Sequence, residues 1–80
     1  MIKANATCEI LPGFENGRDC LKGVVDINAE NGQWCAFTIF GFTVSEVRER
    51  GYAQADVNCK DKGWRLETFR INPKDKKVLR

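Results

Sequence analysis

The pair Asn31-Gly32 stands between two apolar runs, with Glu30 before it and Gln33 after it. Asn-Gly is the strongest short hairpin signal, because a type I′ turn needs a positive φ at both central residues. The stretch Lys22–Phe42, KGVVDINAENGQWCAFTIFGF, therefore reads as two antiparallel strands closed by that turn. A two-residue loop at 31–32 pairs Glu30 with Gln33, Ala29 with Trp34, Ile27 with Ala36, Val25 with Thr38 and Gly23 with Phe40. Those residues share one face, which is apolar apart from Thr38, and this pairing assigns it to the core. Val25, Ile27, Trp34 and Phe40 are then the expected buried set. The other face sets Lys22, Val24, Asp26 and Asn28 against Gly41, Ile39, Phe37 and Cys35. The second strand is thus apolar on both sides. A further element covering Phe37 and Ile39 is the expected outcome, since large exposed apolar patches are uncommon on monomers.

Eighty residues make one small domain with a thin core. A hydrophobic content of 42% with 30% charged residues fits an ordered domain rather than a disordered one. The net charge of +2 is far from a histone-like basic tail and also argues against the acidic surface of a DNA mimic. Met1-Ile2-Lys3-Ala4-Asn5 leads into polar sequence without an apolar signal region, and no run approaches membrane-spanning length. A cytoplasmic protein with no membrane partner is the expectation. Cys8, Cys20, Cys35 and Cys59 are widely and irregularly spaced, which in that compartment favours reduced thiols. No C-x-x-C pair and no histidine occur, so neither a metal site nor a cofactor is implied.

Taken in order, residues 2–11 alternate, with Ile2, Ala4, Ala6, Cys8 and Ile10 on one side and Lys3, Asn5, Thr7 and Glu9 on the other. That is a strand pattern ended by Pro12-Gly13. Asn16-Gly17 offers a second hairpin turn, leading into the strand that begins near Cys20, and Phe14 reads as a core plug. Thr43-Val44-Ser45-Glu46 has the form of a capping box, so a short helix follows over Val44–Arg50, stopped by Gly51.

Two readings then compete. In the first, Ala53, Ala55, Val57 and Cys59 alternate as a strand, Lys60–Gly63 turns, and Trp64–Ile71 pairs back. In the second, the helix continues through Gly51 to about Lys62, with Val44, Val47, Gly51, Ala55 and Cys59 as its apolar stripe and Gly63 as its cap. The hairpin is favoured by the period-2 alternation and the turn composition. It gives a mainly β fold, a small five-stranded antiparallel OB-like partly open barrel with one short helix. The alternative is an α+β arrangement of three strands, helix, strand. Either way residues 1–73 form the domain, Pro73 ends the last strand, and 74–80 form a charged tail.

Catalysis has no support in the sequence. Histidine is absent, as are a nucleophile elbow, a P-loop and a dinucleotide fingerprint. The protein reads as a non-enzyme. Basic and aromatic residues do interleave, in Arg48, Arg50 and Tyr52 and then Lys60, Lys62, Arg65 and Phe69. Single-strand binders need stacking rings beside cations that track the backbone, and this set is the candidate nucleic-acid-binding surface. In the strand pattern Arg65 and Phe69 share one side, while Trp64 and Arg70 share the other.

Met1-Ile2-Lys3, Gly51-Tyr52-x-x-x-x-Val57, Gly63 and Phe69-Arg70-Ile71-Asn72-Pro73 together resemble the small filamentous-phage single-stranded-DNA-binding proteins. The resemblance covers about a third of the chain. It implies an OB-like fold, a homodimer, and binding through basic and aromatic residues that include a long N-terminal hairpin. The corresponding region here is Pro12–Leu21, carrying Phe14 and Arg18. The rival expectation is a phage- or plasmid-type protein inhibitor that docks on a host enzyme through Val24, Phe37 and Ile39.

Overall fold

Two asparagine–glycine pairs set the register of the sheet. The computed structural model describes residues 1–71; the expected tail 74–80 and the Pro73 stop lie outside the described residues. Strand β1 (Ile2–Glu15) meets β2 (Arg18–Ala29) across Asn16-Gly17, where both residues have positive φ, 53° and 74°. That is the two-residue turn of a twisted hairpin, pairing Glu15 with Arg18.

The turn at 31–32 differs from its expected form. Asn31 Oδ1 accepts from the Gln33 N–H at 3.0 Å, in a local side-chain turn. Gly32 takes the positive φ, 91°, and its N–H donates to the Ala29 carbonyl. The Glu30 N–H donates to the Lys3 carbonyl, and the Lys3 N–H donates to Glu30 Oε2, tying the loop to β1. The loop is therefore one residue longer, a three-residue turn with a left-handed glycine. Strand β3 (Trp34–Gly41) then pairs Ile27 with Cys35, Val25 with Phe37 and Gly23 with Ile39. A one-residue slip turns every β3 side chain to the other face. Val25 and Ile27 are fully buried as expected, but Trp34 is 68% exposed and Phe40 only half-buried on the opposite face.

The connection after β3 follows the longer-helix alternative. Helix α1 (Val44–Asp61) begins at Thr43, whose side chain accepts from the Glu46 N–H at 3.0 Å. Glu46 Oε1 in turn accepts from the Phe42 N–H at 2.7 Å, one residue before the cap. Gly51 does not stop the helix. A Cβ there would come within 3.1 Å of Phe69 Cζ, so this glycine is a point of close approach rather than a cap. Val47, Gly51, Ala55 and Cys59 form the buried stripe, while Val57 of the supposed strand is exposed. Gly63, at φ 75°, redirects the chain into β4 (Trp64–Ile71).

The sheet order is β3-β2-β1-β4, with β4 parallel to β1 and the other pairs antiparallel. The five-stranded OB-like barrel is thus replaced by one open four-stranded mixed sheet under one helix. The order is three strands, helix, strand, an α+β arrangement. One helix can cover only one face. Ala4, Ala6, Cys8, Ile10, Val25, Ile27, Val47, Ala55, Cys59 and Trp64 make the core between helix and sheet. Many of these side chains are small, which lets the helix lie close to the strands.

A bulge alters β4. Ala4 pairs with Leu66 but Asn5 pairs with Thr68, leaving Glu67 as the extra residue. Trp64, Leu66, Phe69 and Ile71 consequently face the helix, whereas Arg65, Thr68 and Arg70 face away. The expected sharing of a face by Arg65 and Phe69 fails for this reason.

Candidate nucleic-acid interface

Strand alternation decides which side chains the helix leaves uncovered. Because Ala4, Ala6, Cys8 and Ile10 are buried beneath α1, Lys3, Asn5, Thr7 and Glu9 stand on the open face. The ladder aligns them in rows. Trp34, Asn28, Asn5 and Thr68 form one row across all four strands. Ala36, Asp26, Thr7 and Arg70 form the next, and Lys3 pairs with Arg65 on the other side of the first. Thr68 Oγ1 lies 2.7 Å from Asn5 Oδ1 and donates to it. Asn5, Thr7, Thr68 and Arg70 edge a shallow depression between β1 and β4. The far end of the face is more apolar, with half-buried Leu11, Val24 and Phe40 around Lys22.

The electrostatics of this face divide along the sheet. Lys3, Arg65 and Arg70 lie on β1 and β4, and Arg65 is engaged by Glu67 at 2.7 Å. Glu9 and Asp26 partly offset them. Trp34 stands on β3 at the opposite edge, 68% exposed, and lines a shallow depression with Gly32, Gln33, Lys62 and Trp64.

The expected binding residues are dispersed over the molecule. Arg48 and Tyr52 lie on the outer flank of α1, beside Glu49 and Phe69 at a shallow depression. Phe69 is not a free stacking ring: it points under the helix, where the Tyr52 ring meets it edge-on at 5.8 Å. Arg50 is held by Glu46 at 3.6 Å and donates to the Phe40 carbonyl at 2.6 Å. Lys60 pairs with Asp56 at 3.1 Å, one helical turn away. Lys62 lies over the Trp64 ring, 5.6 Å from its centroid. Of that set, Arg65 alone reaches the open face, because the hairpin meant to carry them is largely helix. Trp34, Asn28, Asn5 and Lys3 were not among the expected binding residues. The alternation of Lys3, Asn5 and Thr7 was their signal, but it does not say which face a helix will cover.

The alternative docking set divides as well. Phe37 and Ile39 face α1 and pack against the core, while Val24 stands on the open face. Phe14, expected as a core plug, is 67% exposed near the hairpin tip. The Arg18 guanidinium stacks over the Phe42 ring at 4.7 Å.

Cys8 and Cys59 are buried, Cys20 and Cys35 half-buried. Burial first, then the neighbouring Cys35 and Asp56, pushes the Cys59 thiol up. Among the described residues no group of three or more histidine, cysteine, aspartate or glutamate side chains could hold a metal ion. No helix among them is long and apolar enough to cross a membrane.

No family model, curated protein or solved structure matches the chain.

Proposed function

We propose that this is a non-catalytic binding protein that takes single-stranded nucleic acid on the helix-free face of its sheet. The supporting observation is the row Trp34–Asn28–Asn5–Thr68, flanked by Lys3 and Arg65 on one side and Arg70 on the other. The row offers a ring for stacking, then amides and a hydroxyl for base edges or sugar. The flanking cations match a phosphate backbone on either side. The similarity to filamentous-phage single-stranded-DNA-binding proteins points to the same ligand class. Of its pieces among the described residues, Ile2-Lys3 and Phe69-Arg70-Ile71 lie in strands, Gly63 lies in the turn before β4, and Gly51-Tyr52-x-x-x-x-Val57 lies in a helix.

Titration of a labelled oligonucleotide at low salt tests the reading. Anisotropy should rise, and affinity should fall with salt by about 0.7 log units per phosphate contact per decade. Trp34→Ala should lose roughly 1–3 kcal/mol of binding, the worth of one stacked base. Arg70→Ala should flatten the salt slope. No anisotropy change at high micromolar protein would remove the nucleic-acid reading. The second reading is docking on a partner protein, and what favours it is the half-buried Leu11, Val24 and Phe40 on the same face. It predicts binding that is insensitive to salt and lost with Phe40→Ala.

A further inference from the structure

The two edges of the sheet are built differently. The β4 edge carries Arg65, Glu67 and Arg70 and is broken by the bulge at Glu67. Charges and bulges of this kind keep an edge strand from pairing with another chain. The β3 edge, Trp34–Gly41, has the sequence WCAFTIFG, with no charge, no proline and no register shift.

Alternation fixes which backbone groups of β3 point outward. The Ala29 N–H donates to the Gln33 carbonyl, so Cys35, Phe37 and Ile39 exchange bonds with β2 in the same phase. Trp34, Ala36, Thr38 and Phe40 then present their N–H and C=O groups away from the sheet. Arg50 agrees with this, since its guanidinium reaches round to the Phe40 carbonyl at 2.6 Å. That side chain closes one end of the edge and leaves Trp34 to Thr38 open.

We propose that this open stretch pairs antiparallel with the same stretch of a second copy of the chain, centred on Ala36. The segment is self-complementary about that centre. Ala36 meets its own counterpart, a small residue against a small residue on the axis. Trp34 falls opposite Thr38 of the other copy, an aromatic ring beside a β-branched side chain, a favourable cross-strand pair. On the helix face Phe37 falls opposite Cys35, apolar against apolar. The result is one continuous sheet of both copies, and the 68% exposure of Trp34 in a single chain is reduced.

The protein alone, without nucleic acid, tests this separately from the binding proposal. Sedimentation over low to high micromolar concentration should give twice the 9.1 kDa of one chain. Ala36 is exposed, so Ala36→Lys and Ala36→Glu leave the core untouched. Each places like charges opposite one another on the axis and should shift self-association to concentrations up to roughly fivefold higher. Mixing the two variants places opposite charges there and should restore the doubled mass, a rescue that a merely unfolded variant does not give. Wild-type protein of single-chain mass throughout would overturn the pairing. So would variants that associate as the wild type does, or a mixture that stays at single-chain mass.

Discussion

Gly23 lies on β2 directly beneath Val47 of α1, and replacing it measures how tightly helix and sheet are joined. A Cβ at Gly23 would stand 2.6 Å from Val47 Cγ1, 2.9 Å from Ile39 Cδ1 and 3.1 Å from Cys8 Sγ. Ordinary contact begins at 3.4 Å, so Val47 must yield by about 0.8 Å, the difference between 3.4 and 2.6. Val47 is fully buried, and a valine on a helix has one strongly preferred rotamer. It has no easy way to turn aside, so the helix must lift or the strand must bend. Overpacking of this kind costs roughly 1–3 kcal/mol. Removing a glycine from a strand returns roughly 0.5–1 kcal/mol of that. Gly23→Ala should therefore destabilise by about 1–2 kcal/mol, or about 5–15 °C in Tm for a domain of this size. Urea unfolding followed by circular dichroism gives the number. Val47→Ala removes the clashing methyl, so the double variant should cost clearly less than the two single changes added together. A neutral Gly23→Ala, or strict additivity with Val47→Ala, would mean that α1 does not bear on β2 at this point.

Other consequences can be read by similar means. Ile27→Ala empties a fully buried position and should cost roughly 2–5 kcal/mol, seen as a lower urea midpoint. Thr43→Ala removes the acceptor of the Glu46 N–H and should cost about 1 kcal/mol, whereas Thr43→Ser should be close to neutral. The folded state holds the Cys59 thiol protonated, so above the ordinary thiol pKa, near 8.5, the unfolded chain gives up that proton first. Stability should be full below that pH and decline above it, and comparing urea midpoints of wild type and Cys59→Ala at neutral and alkaline pH isolates the effect. Thiol titration of unfolded, unreduced protein should find all four cysteines reactive.

The strands were legible because alternation in 2–11, the two Asn-Gly turns and the apolar runs are local signals, but β1 does not end at Pro12-Gly13 as expected: it pairs with β2 through both residues to Glu15. Register was not legible, since it turned on one residue. Asn31 can satisfy a two-residue loop with positive φ or fold its side chain onto the Gln33 N–H, and only contacts with Lys3 of β1 decide between them. The helix suffered a similar ambiguity. Ala53, Ala55, Val57 and Cys59 fit period 2, and Val44, Val47, Gly51, Ala55 and Cys59 fit the helical stripe. Gly51 looked like a stop because its partner Phe69 is 18 positions away and invisible to local pattern. The candidate face was missed through these same errors. Placing Phe69 beside Arg65 assumed an unbroken strand, and the bulge at Glu67 reverses that assignment.

Edge pairing and the open face have a joint consequence. Strands lie about 4.8 Å apart, so four of them span roughly 14 Å between the outer two axes, and pairing through β3 more than doubles that width. Across the joined face the two rows run antiparallel and offset, each Trp34 beside Thr38 of the other copy, with the amides and cations of each copy on opposite sides of the Ala36 axis. An oligonucleotide long enough to reach both halves binds the second half intramolecularly, at an effective concentration of about millimolar. It should therefore bind far more tightly than one that covers a single half, with no new kind of contact. Ala36→Pro separates the two effects. The Ala36 N–H points away from β2, so proline there removes an edge donor without removing a bond of the β2–β3 ladder. The short oligonucleotide should bind this variant as it binds the wild type, and the long one should fall to the affinity of the short. If the long oligonucleotide keeps its advantage on single-chain Ala36→Pro protein, both halves of its contact lie within one copy, and the joined face plays no part in binding.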